Sequence, residues 1–81
     1  MLDYIEVDDA FTMAKMTPPR ETHGFTLAEL KLRDNYGVKV IGIKSPGQDF
    51  EYATDDSQIG KDDILLVAGE GELLDRFAHR P

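Results

Sequence analysis

The sequence predicts an α+β fold: a small single domain over residues 1–81, with a mixed β-sheet and two helices. Three observations carry this prediction. Short apolar runs rich in β-branched residues recur, most clearly at Val38–Ile43 and Ile64–Ala68. The stretch from Thr26 to Gly37 has helical spacing together with a start and a stop signal. Each helix then meets a strand across a tight glycine junction, Gly37 in one case and Gly69 with Gly71 in the other.

In chain order, Leu2 to Val7 alternates weakly and includes Tyr4, Ile5 and Val7, which suits a short strand ended by a turn at Asp8 and Asp9. Phe11 to Met16 reads as a second strand. Phe11, Met13 and Lys15 fall on one side of it and Thr12, Ala14 and Met16 on the other. Pro18 and Pro19 stop regular structure. Thr26 with Glu29 three residues on is a capping box, and Leu27, Ala28, Leu30 and Leu32 fall largely at three- and four-residue spacings behind it. Gly37 stands where a left-handed glycine ends a helix. Val38 to Ile43 is apolar on both faces, as in a strand covered on both sides by helices or a partner subunit. Ser45-Pro46-Gly47-Gln48 places Pro and Gly at the centre of a type II turn, with Phe50-Glu51-Tyr52 as the return strand. Ala53 to Asp63 is an acidic loop leading into the strand Ile64–Ala68, and Leu73, Leu74, Phe77 and Ala78 share one face of a terminal helix.

Composition narrows the function. With 81 residues, no cysteine and 41% hydrophobic content, the chain is globular with a core near the lower limit of self-sufficiency. It has neither disulfides nor thiolate metal sites to help, so a dimer interface would be one remedy. A net charge of −7 and a pI of about 4.6 disfavour nucleic acids and anionic membranes as partners. The absence of any long apolar run or signal peptide argues against membrane insertion and for an intracellular module.

The charge is unevenly spread. Residues 48–75 sum to −8, whereas residues 26–47 sum to +2, because Lys31, Arg33, Lys39 and Lys44 outnumber Glu29 and Asp34. A short cationic segment in an anionic body suggests a small anionic ligand. Arg33 has two readings from composition: a cation favourably placed in the last helical turn, or a guanidinium fork for a phosphate. The acid pairs Asp8-Asp9, Asp55-Asp56 and Asp62-Asp63 lack the spacing of an EF-hand loop and read more simply as turns, with Asp62-Asp63 suited to satisfying turn amides. His23 and His79 have no Ser or Cys nucleophile at a recognisable spacing, so no catalytic set assembles and an enzyme is not expected. The Gly69 and Gly71 pair lacks the third glycine and the βαβ unit of a dinucleotide fingerprint.

The run His23-Gly24-Phe25-Thr26-Leu27-Ala28-Glu29-Leu30, followed by Leu32-Arg33 and Tyr36-Gly37-Val38, resembles the RCK-C (TrkA-C) ligand-binding domain of bacterial potassium-transport regulators. Ile59 to Leu66 is similar to that domain's strand entry, and Gly69 to Phe77 to its closing turn and helix. The resemblance covers nearly the whole chain. It implies a cytoplasmic regulatory module that follows an N-terminal Rossmann domain in a longer protein, forms a homodimer and acts on a membrane potassium channel or transporter. It also implies no cofactor but a nucleotide ligand, cyclic di-AMP, lying across the two-fold axis. Carried over by position, the backbone around Leu27 and Ala28 and the side chain of Arg33 match the phosphate side. Lys31, Asn35, Lys39 and Ile41 are neighbouring candidates, and Asp55 stands, with Ala53, in a loop where relatives often place a proline against adenine. Two alternatives stay open: a divalent-cation sensor of the same fold using Asp55-Asp56 and Asp62-Asp63, and a purely structural dimerisation or docking domain.

Overall fold

The computed structural model describes residues 3–8 and 10–81, so Leu2 and Asp9 of the predicted first strand and turn lie outside the described residues. Five strands form one sheet: β1 (Asp3–Asp8), β2 (Phe11–Met16), β3 (Lys39–Lys44), β4 (Phe50–Tyr52) and β5 (Ile64–Gly69). Their spatial order is β1-β2-β5-β3-β4. The α+β class is as predicted, but the sheet is antiparallel at every pairing and not mixed. The reason lies in the slot taken by β5. Strands β2 and β3 both run antiparallel to β5, hence parallel to one another, yet they never pair because β5 separates them.

The predicted first helix is two short ones, α1 (Leu27–Leu30) and α2 (Leu32–Tyr36), broken at Lys31. A 3-10 turn at Arg20–Thr22 precedes them, where the buried Thr22 hydroxyl donates to the Pro19 carbonyl at 2.6 Å. The helix α3 (Gly71–Ala78) closes the chain. Alternation along β2 and β5 turns Ala14, Met16, Leu65 and Val67 toward the helices, where they are buried with Leu32, Val38, Val40, Ile59, Leu74 and Phe77. Their neighbours Phe11, Met13, Ile64 and Leu66 face the other way, so the second face of the sheet has no helical cover among the described residues.

Two glycines have a geometric reason. Gly37 ends α2 at φ 72°, and a Cβ there would sit 2.8 Å from Leu73 Cδ1 on α3, so glycine serves both the turn and the helix contact. Gly47 takes φ 76° in the predicted hairpin turn, with the Gln48 N–H donating to the Ser45 carbonyl at 3.0 Å.

The capping box is formed as the sequence predicts. The Glu29 N–H donates to Thr26 Oγ1 at 3.2 Å, and Glu29 Oε1 accepts from the Thr26 N–H at 2.9 Å. The Thr26 amide and hydroxyl hold the Glu29 carboxyl below its usual pKa. Across the fold, Arg80 does the same for Glu21, by a side-chain hydrogen bond. Both carboxyls bind protons less readily when the chain is folded. Their contributions are therefore complete above the ordinary glutamate pKa of about 4.3 and are lost as pH falls through the depressed values. Urea denaturation from pH 7 to pH 3 should show the midpoint falling in that acid window, and Glu29→Gln should flatten part of the fall. An identical slope in wild type and variant would exclude this origin.

Candidate functional site

A groove of about 480 Å³ lies where α1, α2, the start of β3 and the loop after β4 meet. Backbone hydrogen bonds assemble it. The Leu27 N–H donates to the Ser57 carbonyl and the Ala28 N–H to the Asp55 carbonyl, each at 3.0 Å. The Ala53 N–H donates to the Ile41 carbonyl at 2.9 Å, and Thr26 makes an isolated antiparallel bridge with Gln58. These contacts lay the acidic loop against α1. A bulge between Val40 and Gly42 gives β3 one residue more than β5 at this end of the strand.

Apolar groups from Leu27, Ala28, Leu32, Val38, Val40 and Ala53 line the groove, and Lys31, Arg33 and Lys39 bring three cations to it. Asp34 and Asp55 are the acids in the lining, which leaves the site net positive on a chain of charge −7. Arg33 takes part in no ion pair among the described residues, where the ion pairs are His79–Asp75 and Arg80–Glu21. An apolar floor with a few convergent charges is the usual build of a small-molecule site, and here cations outnumber acids in the lining.

Of the residues singled out from sequence, Leu27, Ala28, Lys31, Arg33, Lys39 and Asp55 line this groove. Asn35 and Ile41 do not. Asn35 reaches back to the Leu30 carbonyl, its Nδ2 donating at 2.9 Å. Ile41, at the bulge, lines a separate apolar groove with Gly42, Phe50, Tyr52 and Leu66 on the open face of the sheet. The amides of Leu27 and Ala28 already donate to loop carbonyls, so these residues offer the groove side chains, while Arg33, Lys31 and Lys39 offer positive charge. Sequence reasoning missed Leu32, Asp34, Val38, Val40 and Thr54 as lining. The alternation Val38-Lys39-Val40 was the available signal, since it puts a cation between two apolar groups at the mouth of a strand.

Among the described residues no group of three or more His, Asp or Glu side chains could hold a metal ion. The nearly buried Asp63 instead accepts from the Gly60 N–H at 2.7 Å, the turn role read from the sequence. Nor is any helix of the described residues long and apolar enough to cross a membrane.

The model of the TrkA-C domain family matches residues 12–80. The chain is 28% identical over 80 residues to Ktr system potassium uptake protein C of Bacillus subtilis, a match covering 99% of this chain and 36% of that protein. It thus spans about a third of that relative's length. Among solved structures, the RCK C domain of the potassium transport protein KtrA in complex with cyclic di-AMP superposes with a TM-score of 0.71 at 25% identity, covering 82% of this chain and 78% of that one. The GsuK channel bound to NAD shares the fold, with a TM-score of 0.72 at 22% identity over 83% of this chain and 13% of that channel. By the extent of the family match, which takes in residues 12–80 of 81, the chain belongs to the TrkA-C domain family.

Proposed function

We propose that this domain is the ligand-sensing part of a cytoplasmic regulator of potassium transport, and that two copies pair to hold one cyclic di-AMP between their cationic grooves. The observation that carries the reading is the convergence of Lys31, Arg33 and Lys39 on one apolar-floored groove of an acidic chain. Relatives named for potassium uptake, and the KtrA domain solved with cyclic di-AMP, support it. A two-fold nucleotide with two phosphates suits a two-fold interface, because each copy supplies one Arg33 to one phosphate. Output would pass to a membrane potassium channel or transporter to which the regulator is peripheral.

Titration calorimetry with cyclic di-AMP, run beside light scattering, tests this. The expected result is micromolar or tighter binding with one nucleotide per pair of chains. A dimer that gives no heat removes the nucleotide, and a strictly monomeric chain removes the shared site. A rise in melting temperature with Ca²⁺ and not with Mg²⁺, in place of a nucleotide response, would turn the assignment to a cation sensor.

A further inference from the structure

We propose that Asn35 is a positioning residue for the groove: its side-chain amide clasps the break at Lys31 and so fixes how α2 presents Arg33. The inference rests on the reading of the groove as a ligand site. Lys31 adopts φ 47° and ψ 54°, and it is the non-glycine residue with positive φ among the described residues. A side chain with a Cβ is penalised in this left-handed conformation, so something must hold it there. The break also strands a carbonyl. In a continuous helix the Leu30 C=O would accept from the amide of residue 34. Here Asn35 Nδ2 takes that acceptor at 2.9 Å, while the Asn35 backbone N–H donates to the Lys31 carbonyl at 3.0 Å. One residue thus grips both sides of the break, with its backbone on Lys31 and its side chain on Leu30. Because the partner is a carbonyl, the amide nitrogen is the end that makes the contact.

Asn35 itself does not line the groove, whereas Lys31, Leu32, Arg33 and Asp34 all do. Its influence on a ligand is therefore indirect. Without the clasp, Lys31 gains by relaxing to the right-handed region and joining α1 to α2. In a regular helix each residue turns by about 100°, so relaxation at one position redirects every side chain after it, Arg33 included.

The test compares the wild-type domain with Asn35→Ala, Asn35→Asp, Lys31→Gly and the double variant of Lys31→Gly with Asn35→Ala. Two readouts are used: the backbone conformation of residue 31, from NMR couplings and chemical shifts, and the dissociation constant for cyclic di-AMP. Asn35 is exposed, so the variants should keep the dispersed amide spectrum of the folded chain. Asn35→Ala should lose the left-handed signature and bind about tenfold more weakly. Asn35→Asp, which keeps the shape but has no donor, should do the same. Glycine at 31 favours the left-handed region unaided, so Asn35→Ala should cost binding no more than about twofold when it is added to Lys31→Gly, the comparison in which the Lys31 charge is absent from both variants. Retention of the left-handed signature in Asn35→Ala overturns the proposal whatever the binding result, and loss of the signature with unchanged affinity overturns its link to the groove. If the wild type takes no cyclic di-AMP, the functional reading fails, and the backbone comparison still decides the clasp.

Discussion

Replacing Phe77 by alanine is expected to cost about 3–5 kcal/mol and to leave the domain largely unfolded at 37 °C. A chain of 81 residues has a total stability of only about 4–12 kcal/mol. Phe77 is 1% exposed on α3, the helix that covers β2 and β5, and its ring lies 5.3 Å from that of Tyr36 at an angle of 57°. The truncation therefore opens a cavity where α3, α2 and the sheet meet, and it also removes an aromatic pair worth about 0.5–1.5 kcal/mol beyond area burial. Thermal denaturation followed by circular dichroism should show a fall of about 15 °C or more, since each kcal/mol shifts a domain of this size by about 4–8 °C. Phe77→Leu keeps most of the volume and should lose much less. Tyr52→Ser is the surface control: Tyr52 is 91% exposed, and its change should stay within about 0.5 kcal/mol. Equal effects at 77 and 52 would mean that α3 does not carry the core.

Phe77 also shows what a sequence gives away. The α3 stripe of Leu73, Leu74, Phe77 and Ala78 was legible because burial on one side of a helix imposes a period on the chain, and Leu74 and Phe77 are buried. The capping box and the Pro46-Gly47 turn were legible because each is a local geometry with its own residue chemistry. Strand order was not. That β5 slides between β2 and β3 is decided by which apolar faces meet in space, and Val67 pairs with both Ala14 and Val40 without any local mark of it. The doubly apolar β3 predicted cover on both faces by helices or a partner subunit; within the chain Ile41, at the bulge after Val40, lines an apolar groove on the face away from the helices. The break at Lys31 was equally hidden. Its leucine spacing runs straight through the site, no glycine stands there, and the residue that answers the stranded Leu30 carbonyl is five positions downstream of it. The groove was half legible for the same reason. Its helix-and-strand side lies in one contiguous segment, while Ala53, Thr54 and Asp55 arrive through backbone bonds to Ala28 and Ile41.

Arg33→Ala is expected to weaken cyclic di-AMP binding by about 100-fold or more while leaving the fold intact. Arg33 is exposed and takes part in no ion pair among the described residues, so its truncation strands no partner in the protein. The loss instead falls on the ligand. A hydrogen bond to a charged group contributes about 1.5–3 kcal/mol, and in a symmetric pair one substitution removes the contact from both phosphates at once. Two such losses exceed about 2.8 kcal/mol, which is the 100-fold expected. Arg33→Lys separates charge from geometry: an ammonium keeps the attraction and gives up the two-pronged fork, so its affinity should fall between the other two. Salt supplies an independent check, because wild-type affinity should drop between 50 and 300 mM NaCl more steeply than that of Arg33→Ala. Calorimetry at both salt concentrations, with melting temperatures taken on the same samples, reads all of this together. Should Arg33→Ala bind within threefold of wild type, the phosphates are held elsewhere, and Lys31 and Lys39, the other cations of the groove, become the residues to change next.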